Sequence, residues 1–172
     1  AGDIIAREVV DISPEDDINT LTDKCVAALG PALEKAVTEM EGGRPRGQKQ
    51  DDAAATYTCS RNPEDGRIDW RRPSREIYNL VRALTWPMPG AFTSYEGRRL
   101  YVWQCEVVDE LPYEGRVCGK VIAVDRARGA IKVLTGDGSL WITRSSTDPM
   151  DPDRNEVTFG SVRVTLGQNL DG

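Results

Sequence analysis

The sequence predicts a helical N-terminal arm followed by a mainly β unit, in which one amphipathic helix leads into short strands that wrap into a small open barrel. Three observations predict this. The charge is split: residues 1–64 hold 7 basic and 13 acidic side chains, the whole of the net charge of −6, while residues 65–172 hold 15 of each. Helical apolar spacing is found over 13–41 and 73–84. Beyond residue 99, five short strand-like runs are punctuated by Gly and Asp turns.

The chain opens on Asp3-Ile4-Ile5-Ala6, which reads as a strand with nothing leading into it, as in a fragment or one half of a split protein. Ser13-Pro14-Glu15-Asp16 has the cap and acid residues of a helix N-terminus. Ile18, Leu21, Cys25, Leu29, Leu33, Val37 and Met40 then share one apolar face. Gly30-Pro31 should kink this helix or divide it in two, because proline lacks an amide donor and its ring clashes with the preceding turn. Gly42-Gly43 ends it, and the polar, unpatterned residues 42–66 read as a linker or surface strap. Pro73 suits a first helical turn, and Ile77, Leu80, Val81 and Leu84 face one way until Trp86-Pro87-Met88-Pro89-Gly90 stops the helix. The strands expected are Leu100–Val108, Val117–Val124, Ala130–Leu134, Ser139–Thr143 and Val162–Leu166, with turns at Asp125–Gly129 and Gly136–Gly138. Simple alternation places Tyr101, Trp103, Cys105 and Val107 on one face.

With 172 residues, 39% apolar and 29% charged, the chain can bury a real core. Its acidity argues against a protein that tracks phosphate backbones. It has no run long enough to cross a membrane and no signal peptide, so a cytoplasmic place is expected. It has no histidine, which removes Ser-His-Asp and Cys-His nucleophilic sites and HExxH metal sites together. Cys25, Cys59, Cys105 and Cys118 fit no metal spacing and read as free thiols of a reducing compartment rather than a disulfide pair, with Cys25 and Cys105 in the core.

The remaining candidates have structural explanations. Glu15, Asp16 and Asp17 could hold a metal, but a helix cap explains them. Asp148, Asp151 and Asp153 have calcium-like spacing without the central glycine or final glutamate, and read as a solvated loop. Gly136-Asp137-Gly138 reads as a turn rather than a phosphate loop. Arg71, Arg72 and Arg75 form the strongest basic cluster, either a solvated helix start or a phosphate contact.

Pro63-Glu64-Asp65-Gly66-Arg67-Ile68-Asp69-Trp70, the run Ile77 to Leu84 and Pro87-Met88-Pro89-Gly90-Ala91-Phe92-Thr93 resemble the 10-formyltetrahydrofolate-dependent formyltransferases. These include methionyl-tRNA and amino-sugar nucleotide formyltransferases. Ala1 to Ile5 resembles the end of the family's Asp-x-Gly-Asp-Ile-Leu segment. Gln50-Asp51 with Thr56-Tyr57 resembles its linker, and Thr135 to Leu140 a turn of its C-terminal domain.

The resemblance implies that residues 1–45 are the α/β tail of a Rossmann-like formyl-transfer domain, 46–64 a linker, and 65–172 an OB-like open barrel with one leading helix. The implied enzyme belongs to one-carbon metabolism and moves a formyl group from 10-formyltetrahydrofolate to an amine. In the family a His and an Asn stabilise the oxyanion and an Asp tunes the His. That Asp would immediately precede Ala1, with the Asn and His further upstream, so no catalytic residue is expected in this chain and it should be inactive alone. The upstream, N-terminal catalytic portion, in the same or a separate chain, would bind most of the folate. Gly2 and Asp3 are the candidate folate contacts here, and no metal is expected. The balanced charge of residues 65–172 favours a small amine, such as a sugar nucleotide, over tRNA. The reading from another class is a non-catalytic barrel module that only binds.

Overall fold

The computed structural model describes residues 2–43, 47–108, 113–153, 155 and 161–168. Ala1 and residues 44–46 of the expected linker lie outside them. The chain divides into two units, Ala1–Ser60 and Arg61–Gly172.

In the first unit, α1 runs as one helix from Ile18 to Glu41 with Pro31 inside it, so of the two outcomes expected at Gly30-Pro31 the division into two helices does not occur. Ala27-Ala28-Leu29 on one side and Ala32-Leu33-Glu34-Lys35-Ala36 on the other are strong helix formers, and their propensity outweighs one lost amide bond. The start is fixed by a capping box: Asp17 accepts from the amides of Asn19 and Thr20, and the Thr20 hydroxyl accepts from the Asp17 amide. Asp16 is 5% exposed and accepts from Ser13 N, Thr20 Oγ1 and Lys24 Nζ; led by the Lys24 bond, these hold its carboxyl at about 2. No residue of α1 is buried. Leu29, Leu33 and Met40 of its apolar stripe are each more than 60% exposed, and Cys25 is exposed, which corrects its expected core position. Nor do residues 3–10 form a strand. Ile4 makes one antiparallel bridge to Gln48, and a longer strand needs neighbours to pair its backbone.

The second unit is built on α2 (Ser74–Leu84) and five strands, β1 (Ala91–Tyr95), β2 (Arg98–Val108), β3 (Val121–Asp125), β4 (Ala130–Leu134) and β5 (Ser139–Ser146). They form one antiparallel sheet in the order β1-β2-β5-β4-β3. β1 is an element that the alternation pattern does not reveal. It is tied to β2 by the tight Glu96-Gly97 turn, both residues at positive φ.

α2 lays Ile77 and Val81 into the core against Leu100, Val102, Ile131, Val133, Leu140 and Ile142, with Leu80 and Leu84 partly buried beside them. The pairing of β2 with β5 shifts register between Val102 and Cys105. Two opposite shifts there, one residue extra on β2 and then one on β5, leave the register unchanged on either side but reverse the alternation, so Leu100 and Val102 share the core with Cys105 and Val107. Tyr101 and Trp103 instead stack on each other, ring centroids 5.8 Å apart, and Trp103 Nε1 donates to Ser146 Oγ at 2.9 Å. The single face expected for all four residues is thereby corrected.

The sheet is open: β1 and β3 are its edges and do not pair, so the five strands alone are not a barrel. The expected strand at Val162–Leu166 appears as a short strap instead. Val121 N donates to Val164 O and Leu166 N to Gly119 O on the β3 side, while Gly167 N donates to Ser94 O in β1. Leu166 is 2% exposed, in the core.

The start of α2 is a polar junction with the β4–β5 turn. Pro73 sits at its cap position and has no side-chain acceptor. The β4–β5 turn supplies one: Ser74 N donates to Asp137 Oδ1 at 2.7 Å. The Ser74 and Thr135 hydroxyls are bonded at 2.7 Å, and Gly136 N donates to Arg72 O at 3.0 Å. Arg116 NH1 donates to the carbonyls of Thr135 and Gly138.

A methyl group at Gly136 would lie 2.0 Å from the Arg71 carbonyl oxygen. Gly136→Ala should therefore cost about 1–3 kcal/mol and Asp137→Ala about 1 kcal/mol, the latter tempered by the exposure of its carboxylate. All four tryptophans lie in the second unit, so denaturant unfolding followed by tryptophan fluorescence reads this directly; two unchanged midpoints would refute the clamp. The bond from Ser74 N lowers the Asp137 carboxyl below 3.8. Its contribution is complete above that value and is lost as pH falls through the lowered one, so the gap between wild type and Asp137→Ala should close in acid.

Thiol reactivity gives a second test. Cys25 and Cys59 are exposed, Cys118 is half-buried, and burial pushes the Cys105 thiol up to about 12. Maleimide should modify Cys25 and Cys59 rapidly, Cys118 slowly, and Cys105 only on unfolding. Rapid labelling of Cys105 in the native chain would contradict its place in the core.

Candidate functional site

Gly2 and Asp3 lie at the start of the first unit, both exposed. The Gly2 carbonyl accepts from Gln50 Nε2 at 2.7 Å, and Ile4 exchanges backbone bonds with Gln48 at 2.9 and 2.8 Å. Asp3 packs closely on Gly47, where an added methyl would come within 2.5 Å of its Cβ. The adjoining groove is lined by Ile4, Arg7, the 48–52 strap and Tyr57, and neither Gly2 nor Asp3 is in its wall. Gly2 and Asp3 do not enclose a pocket by themselves.

The metal candidates resolve into caps and turns. Asp16 and Asp17 are spent on the start of α1. Asp148 accepts from Met150 N, and Asp153 pairs with Arg144 at 3.4 Å. Among the described residues no group of three or more His, Cys, Asp or Glu is placed to hold a metal ion.

The basic cluster does not present a free cationic face. Arg71 grips both carboxylate oxygens of Asp69, at 2.8 and 2.9 Å, which lowers the Asp69 carboxyl and raises the Arg71 guanidinium. Arg72 pairs with Glu76 one helical turn on at 2.8 Å. Arg75 lies over the Tyr78 ring, 5.3 Å from its centroid.

What sequence reasoning missed is a cleft of about 320 Å³ between the 61–69 segment and the first turns of α2. Its floor is Ile77 and Leu80, and its walls carry Arg61, Asp65, Arg67, Asp69, Arg72 and Glu76. The signal in the sequence is the Asn62-Pro63-Glu64-Asp65 cap: Asn62 N donates to Asp65 Oδ2 at 2.7 Å, which turns the chain so that Arg61 and Arg67 reach one space. What the cleft can do chemically is bind a polar group of mixed charge. No acid, base or nucleophile in it is set for covalent chemistry.

Comparison with known proteins agrees with this architecture. Residues 61–153 match the family described as formyl transferase, C-terminal domain. Over 148 residues, 86% of this chain, the sequence is 33% identical to methionyl-tRNA formyltransferase of Fusobacterium nucleatum subsp. nucleatum, and the match covers 47% of that protein. The chain thus spans about half the length of this curated relative. A structure of a HypX variant from Aquifex aeolicus superposes with a TM-score of 0.61 at 22% identity, over 84% of this chain and 25% of HypX. HypX in complex with tetrahydrofolic acid superposes with a TM-score of 0.56 at 21% identity, over 84% of this chain and 24% of HypX. At such identities the likeness is one of fold. No helix among the described residues is long and apolar enough to cross a membrane. With the family matched over α2 and the whole five-stranded sheet, the chain belongs to the formyl transferases and carries their C-terminal domain at residues 61–153.

Proposed function

We propose that this chain is the C-terminal portion of a 10-formyltetrahydrofolate-dependent N-formyltransferase whose acceptor is a small amine, such as a sugar nucleotide. The observation that carries the transferase reading is the family match over residues 61–153. The chain holds no histidine, so the residues that activate the acceptor come from an upstream portion, in the same or a separate polypeptide, and this chain alone is inactive. Gly2 and Asp3 contribute a backbone contact at the edge of the folate pocket, whose other walls belong to that portion. Neighbouring HypX, in its complex with tetrahydrofolic acid, supports folate as the carrier.

The arginine pairing supports the small acceptor. A domain that grips tRNA gains affinity from each phosphate it neutralises. Here Arg71, Arg72, Arg99, Arg128 and Arg144 are already matched with acids. The second reading, methionyl-tRNA as acceptor, is favoured by the curated relative at 33% identity.

An assay of the complete protein separates the two. Transfer from 10-formyltetrahydrofolate to amino-sugar nucleotides should exceed transfer to methionyl-tRNA by more than about tenfold in kcat/KM. The reverse order would establish the tRNA reading, and turnover by the 172-residue chain alone would refute the need for an upstream portion.

That portion also accounts for the exposed stripe of α1. Leaving apolar area wet costs about 25 cal/mol per Å². In the chain alone, the amides of Ile18–Glu41 should exchange much faster than those of β2 and β5, and the upstream portion should slow them. Protection of α1 equal to that of β5 in the isolated chain would overturn this docking.

A further inference from the structure

We propose that the cleft between the 61–69 segment and α2 binds a small molecule carrying both an oxyanion and an ammonium group. This deepens the small-amine reading and rests on it. The charges around the cleft are not equally available. Glu76 is taken by Arg72 and Asp69 by Arg71. That leaves Arg61 and Arg67, both exposed and neither with a hydrogen bond or ion pair from its guanidinium among the described residues, facing the Asp65 carboxylate.

Asp65 Oδ2 is engaged by the Asn62 amide at 2.7 Å, which fixes the carboxylate on the cleft wall and leaves its other oxygen for a donor. Two guanidinium forks and one carboxylate give a net single positive charge with both signs presented. A guanidinium fork matches the oxygens of a phosphate or carboxylate, and a carboxylate takes an ammonium. The apolar floor of Ile77 and Leu80 gives room for a short carbon skeleton between the two. A volume of about 320 Å³ is that of a small-metabolite site. The anchoring elements are rigid: Gly66 is buried at the end of the cap turn, and Ile77 is 2% exposed in the core.

The test uses the 172-residue chain, with methyl NMR at Ile77 and Leu80 and three probes: phosphoethanolamine, ethyl phosphate and ethanolamine. Phosphoethanolamine should shift both methyls and bind about tenfold more tightly than ethyl phosphate, with ethanolamine weaker still. Arg67→Gln should weaken phosphoethanolamine about tenfold, and Arg61→Gln, an exposed substitution, should do the same without touching the fold. Asp65→Asn should remove the preference for phosphoethanolamine over ethyl phosphate. The proposal is overturned if no probe shifts these methyls, if phosphoethanolamine and ethyl phosphate bind alike, or if Arg61→Gln and Arg67→Gln both bind as tightly as wild type. Its failure is distinct from that of the transferase reading: a complete protein without formyl transfer whose cleft still binds phosphoethanolamine would sink only the latter.

Discussion

A helix begins with amide groups that have no partner within the helix, and in α2 the cap position is held by a proline with no acceptor to offer. Asp137 supplies that acceptor from 63 residues away, at the tip of the β4–β5 turn. The same turn is pinned by Arg116 through two of its carbonyls and by the bonded hydroxyls of Ser74 and Thr135. Gly136 approaches the Arg71 carbonyl so closely that no side chain fits. The bond therefore sets where α2 starts, and so which residues face the sheet. Ile77 and Val81 reach the core because the helix is held at Ser74, and the wall of the arginine cleft is placed by the same anchor.

The sheet that receives α2 is held at its edges by the strap around Leu166. β1 and β3 each have one side with no partner strand in the sheet, and such edges invite pairing with other chains. The strap exchanges bonds with both edges, accepting from Val121 N and Ser94 Oγ and donating to the Gly119 and Ser94 carbonyls, while burying Leu166 among the core side chains. The register shift in β2 serves the same packing. It lets one strand send Leu100, Val102, Cys105 and Val107 inward while Tyr101 and Trp103 stack away from them.

Electrostatics connects this fold to function. Five of the arginines that a basic count would assign to nucleic acid, Arg71, Arg72, Arg99, Arg128 and Arg144, are spent on Asp69, Glu76, Glu64, Glu106 and Asp153. Exposed pairs of this kind contribute little to stability, about 0–1 kcal/mol each, but they remove cationic surface. The first unit has the opposite character, acidic and with an unburied apolar stripe on α1.

The sequence by itself determined the family, the helix at 74–84, the strands from Arg98 onward and the β3–β4 and β4–β5 turns, because each is written in local spacing or in a contiguous motif. It also determined, through the lack of histidine, which chemistries this chain cannot perform. Tertiary structure decided the rest. The proline predicted a kink in α1 or its division in two, and the helix continues through Pro31 as one element. Apolar spacing predicted a buried Cys25, but spacing identifies a face and not what covers it, and the side chain is exposed. Alternation predicted one face for Tyr101 through Val107, and the register shift against β5 divided it, since a bulge depends on the partner strand. Which arginines remain free depended on neighbours brought together by folding, and the same is true of the Asp137 cap, whose donor and acceptor are far apart in sequence and meet only when the sheet is formed.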